Sequence, residues 1–217
     1  MLLSCECEEV PANKGPAAYE AMTKYLAKGG RIFGTDYLYL WYRHLTDPKL
    51  RAAASLHPRR PEGDDRMGRN PMDINTSFPK GKAFADWVKF INPNGVYGQL
   101  AAKQVFDNFA SVMTPATQTW TSSLPDTTDG VAGPRIFSIN TPVGVPPDQQ
   151  CGRAVHMDAH IGPNFPAEVP AGFALTFPQL CGGKLTTGEE ALAFLFFDLA
   201  ACVQEDSKPV APPIIVP

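Results

Sequence analysis

The sequence predicts an α/β protein, a three-layer sandwich built on a mostly parallel sheet. Short apolar strand patterns alternate with helical patterns along the chain, and the first links between them are short. The 217 residues are 44% hydrophobic and 19% charged, which indicates a globular protein with a sizeable core. We expect a single domain over 1–205 with a long surface loop at 46–76, followed by a Pro-rich tail at 206–217.

The first elements form a predicted βαβ unit. The chain opens with a short apolar strand, and residues 14–30 predict a helix, since Pro16 suits a first turn and a Gly29–Gly30 pair ends it. The strand "RIFGT" (31–35) follows at once, so the two strands should pair in parallel with a right-handed crossover. Because the chain starts inside a core strand, we expect an N-terminal portion to be missing.

The remaining elements follow from periodicity and turn chemistry. Residues 76–91 predict a helix with Ser77 as N-cap, and 186–203 predict an apolar helix capped by Thr186 or Thr187. Residues 97–113 fit either a helix or a strand followed by a helix. The predicted strands of this half are 117–122, 134–143 and 152–161.

Charge and apolar patterning bear on partners and location. The net charge is −3 and no basic run is present, so we expect no nucleic acid partner. No apolar run is long enough to span a bilayer, and the first residues, "MLLSCECEEV", lack the basic start of a signal peptide.

The five cysteines leave two interpretations open. Their scattered positions suit an exported protein with disulfides, whereas a cytosolic protein with buried thiols is the alternative. Cys151 could pair with Cys181, or Cys181 with Cys202, and the odd count leaves a free thiol. The other two cysteines are Cys5 and Cys7. Cys7 could be a reactive thiol at a strand tip or an inert buried one.

Candidate site residues stand where the predicted strands end. Ligands of parallel α/β sheets bind beyond the carboxyl ends of the strands. Glu6 and Cys7 follow the first strand, Asp36 follows the second, and His160 ends the "GRAVHMDAHI" segment. We expect these groups to converge on one edge of the sheet. The alternative for Asp36 is an N-cap of a helix through "YLYLWYRHL".

Three residues of the late strand form a candidate metal site. His156, Asp158 and His160 alternate, so an extended strand would place all three on one face. Imidazole and carboxylate together suit zinc, and a set of oxygens that includes Glu6 would suit calcium. The same groups could instead act as an acid–base pair without a metal. Chance spacing on an exposed face is the plainer explanation.

The aromatic run after Asp36 is a candidate binding surface. Tyr37 and Trp41 could line a cleft for a sugar or an ester, although such runs more often pack in a core. We therefore expect a small-molecule or carbohydrate ligand.

Several motifs carry a resemblance to a known family. "MLLSCECEE", a helix, "GGRIFGTD" and later "GRAVHMDAHI" resemble the class I glutamine amidotransferase-like fold, a flavodoxin-like sandwich, and its ThuA-like branch in particular. "DINTSFPKGKAFADW" and "FSINTPVGVPPDQQCGRAVHMDAH" resemble a group of uncharacterised exported proteins from myxobacteria-like organisms. The resemblance runs from the start to about Val203, and it implies that the missing N-terminal portion includes the first βα unit of the sheet. It implies export to the periplasm or beyond, and it favours Asp158 and His160 over His156.

The resemblance also bears on the activity. It aligns the nucleophilic cysteine of amidotransferases with Asp36, or with Thr35 if the register slips, so thioester chemistry has no nucleophile here. We expect a hydrolase of a small ester, lactone or glycoside, with Asp36, Asp158 and His160 as catalytic residues. The alternative function is that of a non-catalytic binding or assembly domain of a larger exported protein. The alternative to export is a fragment that is expressed in the cytoplasm. A missing sheet edge would favour a homodimer.

Overall fold

The computed structural model describes residues 2–3, 15–58, 66–126, 131–161 and 185–201, and the single positions 203, 206 and 208. The helices in these ranges are α1 (Pro16–Ala27), α2 (Leu40–His44), α3 (Pro48–Ala52), α4 (Pro79–Ile91) and α5 (Thr187–Ala200). The strands are β1 (Leu2–Leu3), β2 (Arg31–Thr35), β3 (Ala54–Leu56), β4 (Met72–Ile74), β5 (Gln99–Leu100), β6 (Gln104–Val105), β7 (Phe109–Val112), β8 (Thr117–Ser123), β9 (Gly133–Thr141), β10 (Gly152–Met157) and β11 (Ala159–His160).

The main sheet is mixed, which corrects the expected mostly parallel sandwich. Seven strands lie in the order β1-β2-β10-β9-β8-β4-β5, and the sheet curls into a half-barrel. Two of its strand pairs are parallel, β1 with β2 and β2 with β10, whereas the other pairs are antiparallel. The described residues of the links from β8 to β9 and from β9 to β10 include no α-helix. Short links of this kind return the chain antiparallel, because a parallel crossover needs a longer connection.

The parallel part of the sheet agrees with the predicted βαβ unit. β1 lies beside β2 with Leu2 opposite Phe33, and α1 stands between them in the chain. β10 lies on the other side of β2, with Val155 opposite Phe33. The carboxyl ends of β2 and β10 therefore meet at one edge of the sheet.

Several predicted elements differ in the structure. The expected loop at 46–76 contains α3, β3 and β4, and the ambiguous segment 97–113 forms β5, β6 and β7 without a helix. The N-cap of α4 is Phe78, not Ser77, whose hydroxyl bonds the side chain of Asn75 instead. At α5 the prediction is confirmed, since Thr186 forms a capping box with Glu189.

Two apolar cores cover the two faces of the sheet. Alternate residues of a strand point to opposite faces, and Ile136 packs in the core beneath α4 and α5, whereas Phe137 packs in the core beneath α1 and α2. Trp120 and Phe84 are fully buried in the first core. Burial of apolar area at roughly 25 cal/mol per Å² is the main stabilising contribution in such cores.

A buried ion cluster lies within the first core. Lys80 Nζ is 2.7 Å from Asp198 Oδ1 and 3.3 Å from Asp206 Oδ1, and Arg153 Nη2 is 2.8 Å from Asp198 Oδ2 and 2.9 Å from Asp206 Oδ1. The two positive and two negative charges balance. This balance is what makes the burial of four charges tolerable.

The described part of the chain includes no helix that is long and apolar enough to cross a membrane. Cys151 is an exposed, free thiol among the described residues, and its possible partner Cys181 lies outside them. Cys5, Cys7, Cys181 and Cys202 lie outside the described residues, so the pairing of the other cysteines stays a prediction.

Candidate functional site

The site is assembled where β2 and β10 end. β2 ends at Thr35, and Asp36 begins a 3-10 turn that runs to Tyr39. β10 ends at Met157, and after Asp158 the chain leaves the main sheet as β11, which pairs with β6. The residues that follow both strands are thus brought to the same edge.

Asp36 and His160 form a close pair at this edge. Nε2 of His160 lies 2.7 Å from Oδ2 of Asp36. The Asp36 side chain is 2% exposed, whereas that of His160 is 37% exposed. A carboxylate accepts hydrogen bonds only, so the neutral imidazole carries its proton on Nε2 and its lone pair on Nδ1. An oriented histidine of this kind can take a proton from water.

The backbone at Asp36 is unusual. Its φ is +49°, and it is the only residue other than glycine with a positive φ among those described. Asp and Asn tolerate this left-handed region better than most residues, yet it still costs about 1–3 kcal/mol. The N-cap alternative does not hold, because α2 begins at Leu40 with Tyr39 as its N-cap. Such strain is typical of residues held in place for a function.

Asp158 is fully buried and is held by Asn108. The Asn108 backbone N–H donates to Oδ2 of Asp158 at 2.8 Å, and its side-chain Nδ2 donates to Oδ1 at 2.6 Å. Both carboxylate oxygens are therefore used to order the segment before β7. Asp158 positions neighbouring residues and does not face the solvent.

His156 lies deeper and does not join His160. Its ring packs against Phe109, Phe137 and Tyr42, and neither ring nitrogen has a hydrogen-bond partner among the described residues. It borders an apolar cavity of about 20 Å³, which has room for about one water molecule. Nε2 of His156 is 3.9 Å from Oδ1 of Asp158.

The three predicted metal ligands thus make separate contacts. The strand is interrupted at Asp158, and His160, which follows the interruption, contacts Asp36. His156 precedes the interruption and packs in the apolar core on one face of the sheet. Within the described ranges no group of three or more His, Cys, Asp or Glu side chains could hold a metal ion. Glu6 lies outside those ranges, so a zinc or calcium site stays a prediction.

A second histidine–aspartate pair lies nearby and was not predicted. Nε2 of His57 is 3.4 Å from Oδ1 of Asp107, which also accepts a 2.6 Å hydrogen bond from Nη1 of Arg135. Arg66 Nε lies 3.4 Å from the other oxygen of Asp107. Burial lowers the pKa of His57, and the charges of Arg66 and Arg135 lower it further, against an opposing effect of Asp107.

Residues 106–108 connect these groups. The ring of Phe106 lies 4.8 Å from that of His160, Asp107 holds His57, and Asn108 holds Asp158. The backbone N–H of His57 also donates to the carbonyl of Asn108. Sequence reasoning missed this segment because the secondary structure of 97–113 was ambiguous and His57 fell in a presumed loop.

Trp41, which the sequence predicts to line an aromatic cleft, is partly buried. Its ring packs edge-to-face on Tyr19 at 5.2 Å, and its side chain borders the same cavity as His156. These contacts fit the alternative of core packing, and a cleft lined by Trp41 stays a prediction. The side chain of Tyr37, and all of Glu6 and Cys7, lie outside what the structure describes.

Comparison with known proteins identifies no relative: no family model, no curated protein and no solved structure matches the chain. The resemblance to the ThuA-like branch therefore stays a prediction. The arrangement of side chains at the ends of β2 and β10 is the basis for a functional proposal.

Proposed function

We propose that the protein is a hydrolase of small esters or lactones in which His160 is the general base and Asp36 orients it. The observation that carries the proposal is the 2.7 Å contact between Nε2 of His160 and Oδ2 of the buried Asp36. A partly exposed imidazole held by a buried carboxylate is oriented for proton transfer.

The reaction follows from the position of the protons. Nδ1 of His160 takes a proton from a water molecule as its oxygen attacks the carbonyl carbon of the ester. The Asp36 carboxylate stabilises the imidazolium that results. When the tetrahedral intermediate breaks its bond to the alkoxide, the imidazolium returns the proton to that leaving group. Acid, alcohol and neutral His160 are the products.

A glycoside is less well supported as a substrate. Glycoside hydrolysis uses two carboxyl groups that flank the scissile bond. Both oxygens of Asp158 are engaged by Asn108, which removes the second of the two predicted acids. We assign Asp158 a positioning role, through Asn108, and not a role in contact with substrate.

The test is a kinetic assay of the purified chain with nitrophenyl acetate, nitrophenyl butyrate and a set of small lactones. We expect His160→Gln to lower kcat by roughly 100-fold or more, the usual contribution of a general base. Asp36→Asn should also lower kcat, because it removes the charge that stabilises the imidazolium.

His44→Gln is the matched control, because this histidine packs on Tyr19 and should leave the rate unchanged. An inactive parent, or equal rates for parent and His160→Gln, would overturn the proposal. Metal analysis of the same samples tests the zinc or calcium prediction: metal bound by the parent and lost in Asp158→Ala and His160→Ala would support it.

A non-catalytic ligand-binding domain of a larger exported protein is the second candidate. This function is favoured by the contacts of Asp158. Because both oxygens of its carboxylate accept hydrogen bonds from Asn108, this predicted catalytic acid has a structural role. A thermal-shift screen with mono- and disaccharides tests it. Stabilisation by a sugar in a parent that hydrolyses no substrate would support this function, and no response to any sugar would count against it.

A further inference from the structure

A groove separate from the small cavity opens beside α2, α3 and β3. Its volume is about 630 Å³, which is within the range of small-molecule sites. Residues from all three elements, and the two residues that follow β3, line it: Tyr42, Arg43, Arg51, Ala52, Ala54, Ser55, Leu56, His57 and Pro58. The groove combines apolar surface with cationic side chains.

Its two arginines come from different helices. Arg43 lies in the last turn of α2 and Arg51 in that of α3. Neither forms an ion pair with any other residue that the structure describes. Guanidinium groups are strong donors to anions, and each can form two parallel hydrogen bonds to a phosphate or carboxylate.

One acid close to the groove, Asp107, does not neutralise this charge. Asp107 lies behind His57, and its carboxylate is bonded to the buried Arg135 and faces Arg66. Two arginines therefore already outweigh its single negative charge. An anion in the groove would meet Arg43 and Arg51 without a competing carboxylate from Asp107.

The remaining lining suggests an organic group. Tyr42, Ala54 and Leu56 contribute apolar surface, and Ser55 contributes a hydroxyl. Burial raises the pKa of the Tyr42 phenol, so this hydroxyl keeps its proton and can donate a hydrogen bond. A ligand that fills the groove would pair an anionic group with an apolar body.

We propose that this groove binds a phosphomonoester of a small organic molecule, with the phosphate held by Arg43 and Arg51 beside His57. The three donors belong to separate parts of the chain, since Arg43 lies on α2, Arg51 lies on α3 and His57 directly follows β3. A phosphate offers three oxygens to them, whereas a carboxylate offers two. The proposal is independent of ester hydrolysis at His160.

Isothermal titration calorimetry with phenyl phosphate, inorganic phosphate and benzoate tests it. We expect phenyl phosphate to bind at least about tenfold more tightly than either other probe, a difference of roughly 1.4 kcal/mol. Arg43→Gln and Arg51→Gln should each raise its Kd by about tenfold. Arg69→Gln is the matched control, since this exposed arginine is not in the groove. The Kd of this variant for phenyl phosphate should equal that of the parent.

Three outcomes would overturn the proposal. The first is no heat of binding for phenyl phosphate at millimolar concentration. The second is an equal loss in Arg69→Gln, which would indicate unspecific attraction. The third is equal affinity for benzoate or for inorganic phosphate, which would remove the phosphomonoester class. Circular dichroism of each variant confirms that it is folded, so a change of Kd reports on the groove.

Discussion

His160 Nε2 lies 2.7 Å from Asp36 Oδ2, although 124 positions separate the two residues in the chain. The parallel pairing of β2 and β10 brings their carboxyl ends together, with Met157 opposite Thr35. The chain then turns at Asp158, and His160 reaches the acid that follows β2. The pair of Asp36 and His160 therefore results from the order of the strands in the sheet and from the interruption of the strand at Asp158.

Asp36 should be sensitive to the type of substitution. Asn tolerates a positive φ, so Asp36→Asn should stay folded with a free energy of unfolding within about 1 kcal/mol of the parent. The free energy of unfolding of Asp36→Ala should be about 1 kcal/mol lower than that of Asp36→Asn, because alanine adds backbone strain and leaves His160 without its partner. Urea unfolding of both variants measures the difference. Equal stability of the two would show that the backbone at Asp36 is not strained.

Removal of Asp158 should destabilise the fold. Asp158→Ala deletes the acceptor of two hydrogen bonds from Asn108, and we expect a loss of about 2–4 kcal/mol in the free energy of unfolding. Asp158→Asn keeps one acceptor oxygen and should lose less. The two variants are compared by urea unfolding. A larger loss in Asp158→Asn than in Asp158→Ala would contradict the role assigned to Asn108.

The buried ion cluster should respond to its charge balance. Lys80→Met leaves Asp198 and Asp206 with Arg153 as their one cationic partner in the cluster, and we expect a loss of about 3 kcal/mol. Adding Asp198→Asn restores neutrality, so the double variant should be more stable than additivity predicts. Lys82→Met removes an exposed lysine from the same helix and should leave the unfolding midpoint unchanged. If the effects of the two substitutions on the free energy of unfolding simply add, the charges of Lys80 and Asp198 are not coupled.

Stability should depend on pH through His57. Burial lowers its pKa in the folded state below the unfolded value of about 6.5. Asp107, Arg66 and Arg135 face the ring, and the two arginines act in the same direction as burial. The unfolded chain therefore binds more protons between the two pKa values, so stability falls as pH falls through that window. Thermal unfolding from pH 7.5 to 5 should show a smaller loss of Tm in His57→Gln than in the parent. Identical slopes would contradict it.

Gly152 should tolerate no side chain. A Cβ there would lie 2.1 Å from the Leu26 carbonyl oxygen and 2.3 Å from Oγ1 of Thr141, which itself bonds that carbonyl. Gly152→Ala should therefore lower Tm by several degrees, through separation of α1 from β10. Gly15→Ala is the control, since its Cβ would meet nothing within 4 Å. Equal Tm values for the two variants would show that the contact between α1 and β10 can relax.

Part of the site could be predicted from the sequence. The sequence predicts both Asp36 and His160 as site residues, because Asp36 directly follows one apolar strand pattern and His160 lies near the end of another, where ligands of such sheets bind. Their pairing could not be predicted, since it depends on which strands are neighbours. No sequence pattern indicates that His57 and Asp107 belong to a site, because their partners Arg135 and Arg66 come from distant segments.

Local pattern determined the elements that depend on neighbours in sequence. Pro16 and the glycine pair delimit α1, the capping box of Thr186 and Glu189 starts α5, and apolar runs mark β2, β9 and β10. Only the tertiary structure decided strand order and direction. The same apolar strand fits a parallel or an antiparallel neighbour, and the choice rests on packing across the whole sheet. That choice made the sheet mixed and placed His160 beside Asp36.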